Sequence, residues 1–291
     1  MKNVVITGVS SGIGRAAAEE LAVHGYHVFG SVRKEVDGDY LKGHLGDSFT
    51  PLLFDVTDDA AVKTACEKVS EMLGNGVLDG LVNNAGIGAG GPIMYQPLNE
   101  IRQIFEVNVF GALRVTQAFL PLLGARSPLP AHAGRIVNIS SVGGRISAPF
   151  LGAYAGSKHA LEAFSDAMRR ELAIYDIDVI VIEPGAVITP IWDKAEKGNF
   201  ASKYINTIYG PIVEKFEGEF IANGRKGISV EVVARTIRLA LENEHPKARY
   251  ALTNNPFFGW YMPRHLPDRW LDRLITSQMG LGRKKDGNLQ S

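Results

Sequence analysis

Three residues have types and spacing suited to moving a proton on and off an oxygen atom: Ser141, Tyr154 and Lys158. Tyr154 and Lys158 stand about one helical turn apart, so a helix starting here points both the same way. A free tyrosine keeps its proton until about pH 10. An ammonium close by favours the phenolate and lowers that value. The phenol can then give and take a proton nearer neutrality. A hydroxyl from Ser141, on a segment upstream, could hold a substrate oxygen against it. A Tyr-x-x-x-Lys pair also occurs as plain helix decoration, so the elements that position it must decide.

Those elements alternate. Asn3 to Thr7 reads as a short buried strand and runs into Thr7-Gly8-Val9-Ser10-Ser11-Gly12-Ile13-Gly14. A helical pattern follows from Arg15 to His24, ended by Gly25. Glycines let a ligand approach the main chain, and a helix N-terminus offers free N–H groups and a positive dipole end. Gly8, Ser10, Ser11, Gly12, Ile13 and Gly14 therefore read as a pyrophosphate cradle. Tyr26 to Val32 is the second strand. At its end an NAD site carries an acidic residue for the ribose hydroxyls. This chain has Val32, then Arg33 and Lys34. A carboxylate repels a 2′-phosphate, whereas a guanidinium binds one, so NADP(H) is expected; the other reading is a solvated surface arginine.

Further strands are expected over Thr50 to Val56, Leu81 to Val82, Arg135 to Ile139, Ile177 to Ile182 and Lys247 to Leu252. Helices are expected over Ala60 to Leu73, Leu98 to Leu123, Tyr154 to Tyr175 and Val230 to Glu244, the last with Ser229 as its N-cap. Asp55, Thr57 and Asp58 are all suited to cap the helix after the third strand. Asn108 lies inside a helix, against its propensity. Residues 190–226 read as irregular, with aromatics that suit a pocket or an ordinary core equally. Asp268 to Leu281 can form an amphipathic helix that covers the cleft, joins a partner subunit or touches a membrane.

The order of G-x-x-x-G-x-G after a threonine, Asn-Asn-Ala-Gly, and Ser141, Tyr154 and Lys158 resembles the short-chain dehydrogenase/reductase family. The likeness runs from Asn3 to Ile191 and is looser beyond. It implies one domain over residues 1–281, a Rossmann-type, doubly wound parallel sheet of about seven strands with helices on both faces. It implies Ser141, Tyr154 and Lys158 as catalytic residues. Asn108 would bend its helix and support a water relay to the lysine. Asp55 and Val56 would meet the adenine. Asn83, Ala85 and Gly86 would steady the sheet and pass close to the ribose. Pro184, Gly185, Val187 and Thr189 would lie beside the nicotinamide, although Thr189 also suits a helix cap. The region 190–226 would be a substrate lid. The helices Leu98 to Leu123 and Tyr154 to Tyr175 would form a four-helix interface, giving a homodimer or homotetramer. The substrate would be a carbonyl or secondary alcohol, of the lipophilic kind represented by steroids and retinoids. An NAD(H)-dependent alcohol dehydrogenase of the same family is the alternative, and a non-catalytic NADP(H)-sensing relative a more distant one. Epimerisation or dehydration of a nucleotide-sugar belongs to another glycine spacing.

Composition narrows the classes. The 291 residues carry 31 Lys+Arg against 31 Asp+Glu, which argues against a general nucleic-acid binder. The single cysteine, Cys66, excludes an internal disulfide and a cysteine-cluster metal site; its helical neighbourhood suggests a buried, inert thiol. His24 and His27 do not share a helical face, so no metal is implied. No apolar run is long enough to span a bilayer. The expectation is a cytoplasmic protein, with residues 282–291 as a disordered tail.

Overall fold

The computed structural model describes residues 1–282; the tail expected to be disordered lies, apart from Gly282, outside the described residues. Among these, β1 (Lys2–Ile6), β2 (Tyr26–Val32), β3 (Phe49–Leu53), β4 (Gly80–Asn83), β5 (Arg135–Ile139), β6 (Asp178–Pro184) and β7 (Arg249–Leu252) form one sheet. Its order is β3-β2-β1-β4-β5-β6-β7, parallel throughout. Parallel strands are buried on both faces, and β1 shows how. Val4 and Ile6 face one layer with Ala17, Leu21, Val233 and Ile237. Val5 faces the other with Val62, Val69, Val115 and Phe119. The order runs outward from β1 one way and from β4 the other. Connections therefore leave these two strands in opposite directions and open a crevice at their carboxyl ends.

The first layer holds α1 (Gly12–Val23), α2 (Glu35–Leu45) and the later helix Val230–Glu242; the second holds α3 (Asp59–Leu73) and, in one broken helix, α4 (Leu98–Phe105) and α5 (Ala112–Leu123). α2 was not expected, because glycines at 38 and 43 and its many polar residues hide the period. It has a packing reason for Gly38: a Cβ there would lie 2.9 Å from Pro51 Cβ. The third strand ends at Leu53 rather than Val56, although the Phe54 N–H still donates to Val32 O at 3.1 Å.

The single helix expected over 98–123 is also corrected. Between α4 and α5 the chain widens into a π-helical segment, Glu106–Gly111, around Asn108. Such bulges mark sites where a helix gives up regularity for position. Next come α6 (Gly152–Glu171), α7 (Ile191–Gly198), α8 (Gly210–Gly224), α9 (Val230–Glu242), α10 (Met262–His265) and α11 (Asp268–Met279). Residues 190–226 are thus largely helical rather than irregular: α7 and α8 flank a short 3-10 turn at Phe200–Tyr204. Their rings make a separate small core in which Phe150, Tyr204 and Val213 are buried and on which Met279 and Leu281 rest. That resolves the even choice at residues 190–226 for Tyr204, which is core. The small residues of α6 also pack within the chain: Ala153 and Ala155 are buried, and Gly156 faces the Phe105 ring.

Candidate active site

β1 delivers Gly8 to Gly14 to the crevice. Gly8 and Gly12 have φ of +73° and +61°, which residues with a Cβ rarely adopt. At Gly14 a Cβ would strike Gly8 O and Asn84 Nδ2. Ser11 occupies the N-cap of α1 without a side-chain cap bond, and no acid stands in the first turn. Ser10 is exposed and Ser11, Gly12 and Ile13 are half-buried. The first N–H groups of α1 are thus presented to the crevice. The cradle fits a phosphate-bearing nucleotide by shape and by sign.

Two residues that the sequence reading left unassigned hold this cradle. Thr7 Oγ1 accepts from the Asn84 and Ala85 N–H groups, each at 2.9 Å. Asn84 Nδ2 donates to Thr7 O at 2.8 Å and Gly8 O at 3.1 Å. The pairing of a threonine before the glycines with an Asn-Asn step was the available signal. Asn83, expected near the cofactor, has its side chain elsewhere. It is buried and donates to Thr116 Oγ1 at 2.8 Å and Asn138 Oδ1 at 2.9 Å. Its side chain steadies the sheet; a buried amide needs such partners.

Ser141, Tyr154, Lys158 and Asn108 do come together. Ser141 begins the turn after β5, accepting from the Gly143 N–H at 3.0 Å. Its hydroxyl lies on the Tyr154 side of this turn: a Cβ on Gly143 would sit 3.4 Å from both Ser141 Oγ and the Tyr154 ring. Lys158, buried on the same face of α6, donates to Ile139 O at 2.8 Å, with Nζ 5.9 Å from the Tyr154 ring centre. Asn108 Oδ1 accepts from Ile87 N–H at 2.8 Å, and Nδ2 donates to Ile87 O at 2.9 Å and to Ser157 Oγ at 3.0 Å. The π-segment is therefore pinned to the loop after β4 and to α6 at once. Gly86 threads between: a Cβ there would sit 3.3 Å from Asn108 Oδ1 and 3.7 Å from Lys158 Nζ.

The electrostatics differ from the sequence expectation in one respect. Burial pushes the Tyr154 phenol up, and the Ser141 hydroxyl pulls it part of the way back. Burial also lowers Lys158 to about 8, against the opposing charge of Glu162. Loss of water disfavours both charged forms, so the protein alone does not make Tyr154 a phenolate near neutrality.

The outer positions fall around the same crevice. Arg33 is mostly exposed, with Nη1 3.7 Å from Asp55 Oδ2. Arg33, Asp55, Thr57, Ile87 and Val107 line a cavity of about 440 Å³. Asp55 Oδ1 accepts from Thr57 N–H and Oγ1, while Asp58 caps α3. Val56 is buried and its carbonyl accepts from Arg114 Nη1 at 2.8 Å. On the other side Pro184 ends β6, and the Gly185 N–H donates to Leu252 O at 2.8 Å. Val187 O accepts from Trp192 Nε1 at 2.7 Å. Thr189 does not cap α7 with its side chain; its methyl would lie 3.5 Å from a Cβ at Gly12, so it faces the cradle.

With that geometry in view, the comparisons with known proteins define the class. The short chain dehydrogenase family model matches residues 2–199, and the chain belongs to the short-chain dehydrogenase/reductase family. It is an oxidoreductase of CH–OH and carbonyl groups, in a family that uses nicotinamide cofactors. It is 42% identical to an NADPH-dependent 3-dehydrocapnine reductase of Ornithobacterium rhinotracheale, covering 96% of this chain and 98% of that protein. It is 33% identical to retinol dehydrogenase 16 of Mus musculus, covering 94% and 87%. Among solved structures, a short-chain dehydrogenase from Streptomyces avermitilis aligns with a TM-score of 0.74 at 30% identity, over 97% and 98% of the two chains.

Proposed function

We propose that this protein reduces a lipophilic ketone, or oxidises the matching secondary alcohol, with NADP(H), and that Tyr154 is its proton donor and acceptor. The observation that carries the reading is the meeting of Ser141, Tyr154 and Lys158 from two elements beside the loop after β4, which itself borders the glycine cradle. When bound, the cofactor supplies the hydride or takes it up. Ser141 Oγ holds the substrate oxygen by a hydrogen bond. Tyr154 Oη gives that oxygen its proton as it becomes an alcohol, or takes the proton in reverse. Lys158 holds a positive charge beside the phenol and lowers the cost of its ionisation. Asn108 fixes the π-segment and the loop after β4 against α6, which sets where Lys158 reaches.

Arg33 supports NADP(H): it stands at the end of β2 where an acid would favour NAD(H), and the Ornithobacterium relative is named NADPH-dependent. The apolar lid, with Phe150, Phe200, Tyr209 and Phe216 around Tyr204, supports a lipophilic substrate, as does the name of the retinol relative. Phe110 and Phe164, exposed on the two segments expected at a subunit interface, support a homo-oligomer. Among the described residues no helix is long and apolar enough to cross a membrane.

Tyr154→Phe tests the mechanism. NADPH-dependent turnover of a panel of hydrophobic ketones should fall by about 10²–10⁴-fold, while NADPH fluorescence titration stays at the wild-type value. Wild-type-like turnover in this variant refutes the proposal.

A further inference from the structure

Behind Lys158 lies a cluster of charges that the mechanism above does not use. Glu162 is one turn further along α6 and only 3% exposed; Glu183, just before Pro184, is fully buried. Two guanidiniums span the pair. Arg145 reaches Glu183 Oε1 at 3.1 Å and Glu162 Oε2 at 3.5 Å. Arg249 on β7 reaches Glu162 Oε2 at 3.0 Å and Glu183 Oε1 at 3.4 Å. Its other end holds Asp166 at 2.5 Å, which also takes Arg169 at 2.6 Å. Trp260, from the segment after β7, closes the cluster from outside, its indole N–H donating to Glu183 Oε2 at 2.7 Å.

The cluster touches both halves of the proposed site. Ser140, adjacent to Ser141, sets its hydroxyl beside the Glu162 carboxyl, and both lie over Gly144. Lys158 donates to the carbonyl of Ile139, the residue before Ser140. Buried ion pairs of this kind add little net stability, because desolvation offsets the attraction. Three carboxylates balance three guanidiniums here, so the ammonium of Lys158 is the charge left to be matched. The charged groups facing it are Glu162 on its own helix and, behind that, Arg145, Glu183 and Arg249.

We propose that Glu162 is a positioning residue for the reaction: held in place by Arg145, Arg249 and the Trp260–Glu183 clamp, it sets its carboxylate behind the Lys158 ammonium as the counter-charge to that group. This rests on the reductase reading. Burial depresses Lys158, and the Glu162 carboxylate opposes that depression. Removing the carboxylate lets the ammonium lose its proton at lower pH, so the alkaline fall in turnover begins earlier.

The test is the pH profile of kcat for NADPH-dependent ketone reduction. Glu162→Gln should move the alkaline limb down by about one pH unit, leaving KM for the ketone within about twofold. Asp166→Asn removes a carboxylate that shares Arg249 with Glu162 but lies two turns from Lys158, and should lower thermal stability while leaving the limb at the wild-type pH. A limb unmoved by Glu162→Gln, or moved equally by Asp166→Asn, overturns the proposal. Should Glu162→Gln fail to fold, Glu183→Gln, which keeps an acceptor for Trp260, should move the limb the same way by less, and no movement there overturns it equally. Tyr154→Phe separates the two ideas. If that variant stays active, the reductase reading fails; if it is inactive and the limb does not move, only the role of Glu162 fails.

Discussion

The glycine cradle and residues 190–226, the proposed lid, are held by different forces. Around the cradle, Thr7 and Asn84 tie β1 to the end of β4 through four hydrogen bonds to main-chain groups. The lid is held by rings: Phe150 meets Tyr209 and Phe216, and Phe216 stacks on Phe220 at 5.5 Å. It tolerates a buried polar atom, the Tyr204 hydroxyl, with no partner among the described residues. Phe150 itself has φ of +66°, a left-handed conformation costly for a side chain of its size. One region is specified by hydrogen-bond direction and the other by apolar volume. On the proposed function, the first would hold the cofactor and the second would face the substrate.

Mutations on each side sharpen that contrast. The largest effect is expected at Thr7. Thr7→Val keeps the shape but strands two main-chain N–H groups, and should cost about 2–4 kcal/mol in urea unfolding. A cost below about 0.5 kcal/mol would mean the cradle is held by packing after all. Next is Arg33→Ser, which should weaken NADPH binding by about 10–100-fold, the worth of one charge-assisted bond. NADH binding should change little. Equal loss of both cofactors in a fluorescence titration would remove Arg33 from the specificity argument. The smallest effect is expected in the lid. Tyr204→Phe deletes a buried hydroxyl that has no partner, and should be neutral or stabilising by up to about 1 kcal/mol. A marked loss of stability would show that the hydroxyl is bonded, and the two regions would then be held more alike.

The same division explains what was legible in the sequence. Strands in a buried parallel sheet are short runs of β-branched residues, so β1, β2, β5 and β6 stand out. The glycine spacing and the interval from Ser141 to Lys158 are local patterns, and the structure places those residues together at the crevice. Asn108 was legible as a residue out of place, but not the π-segment it sits in, since a wide turn depends on what its side chain grips elsewhere. Ile87 and Ser157 lie 21 and 49 residues from it. The ionic cluster was invisible for the same reason. Arg145, Glu162, Glu183 and Arg249 come from four elements, and each alone looks like an ordinary surface charge. The lid helices were missed because their aromatics fit a pocket wall and a core equally well.

The lid also has ends that do not share its looseness. It leaves the sheet at β6 and returns at α9, and α9 is pinned against α1 by Arg238, which reaches Glu20 at 2.9 Å. The intervening residues hang between two fixed posts. The entropy of closing such a span rises only slowly with its length, so residues can be added or exchanged there with little disturbance to the posts. If the proposed function holds, a frame hung in this way would let the wall opposite the cofactor change while the cofactor's own pocket stayed as it is.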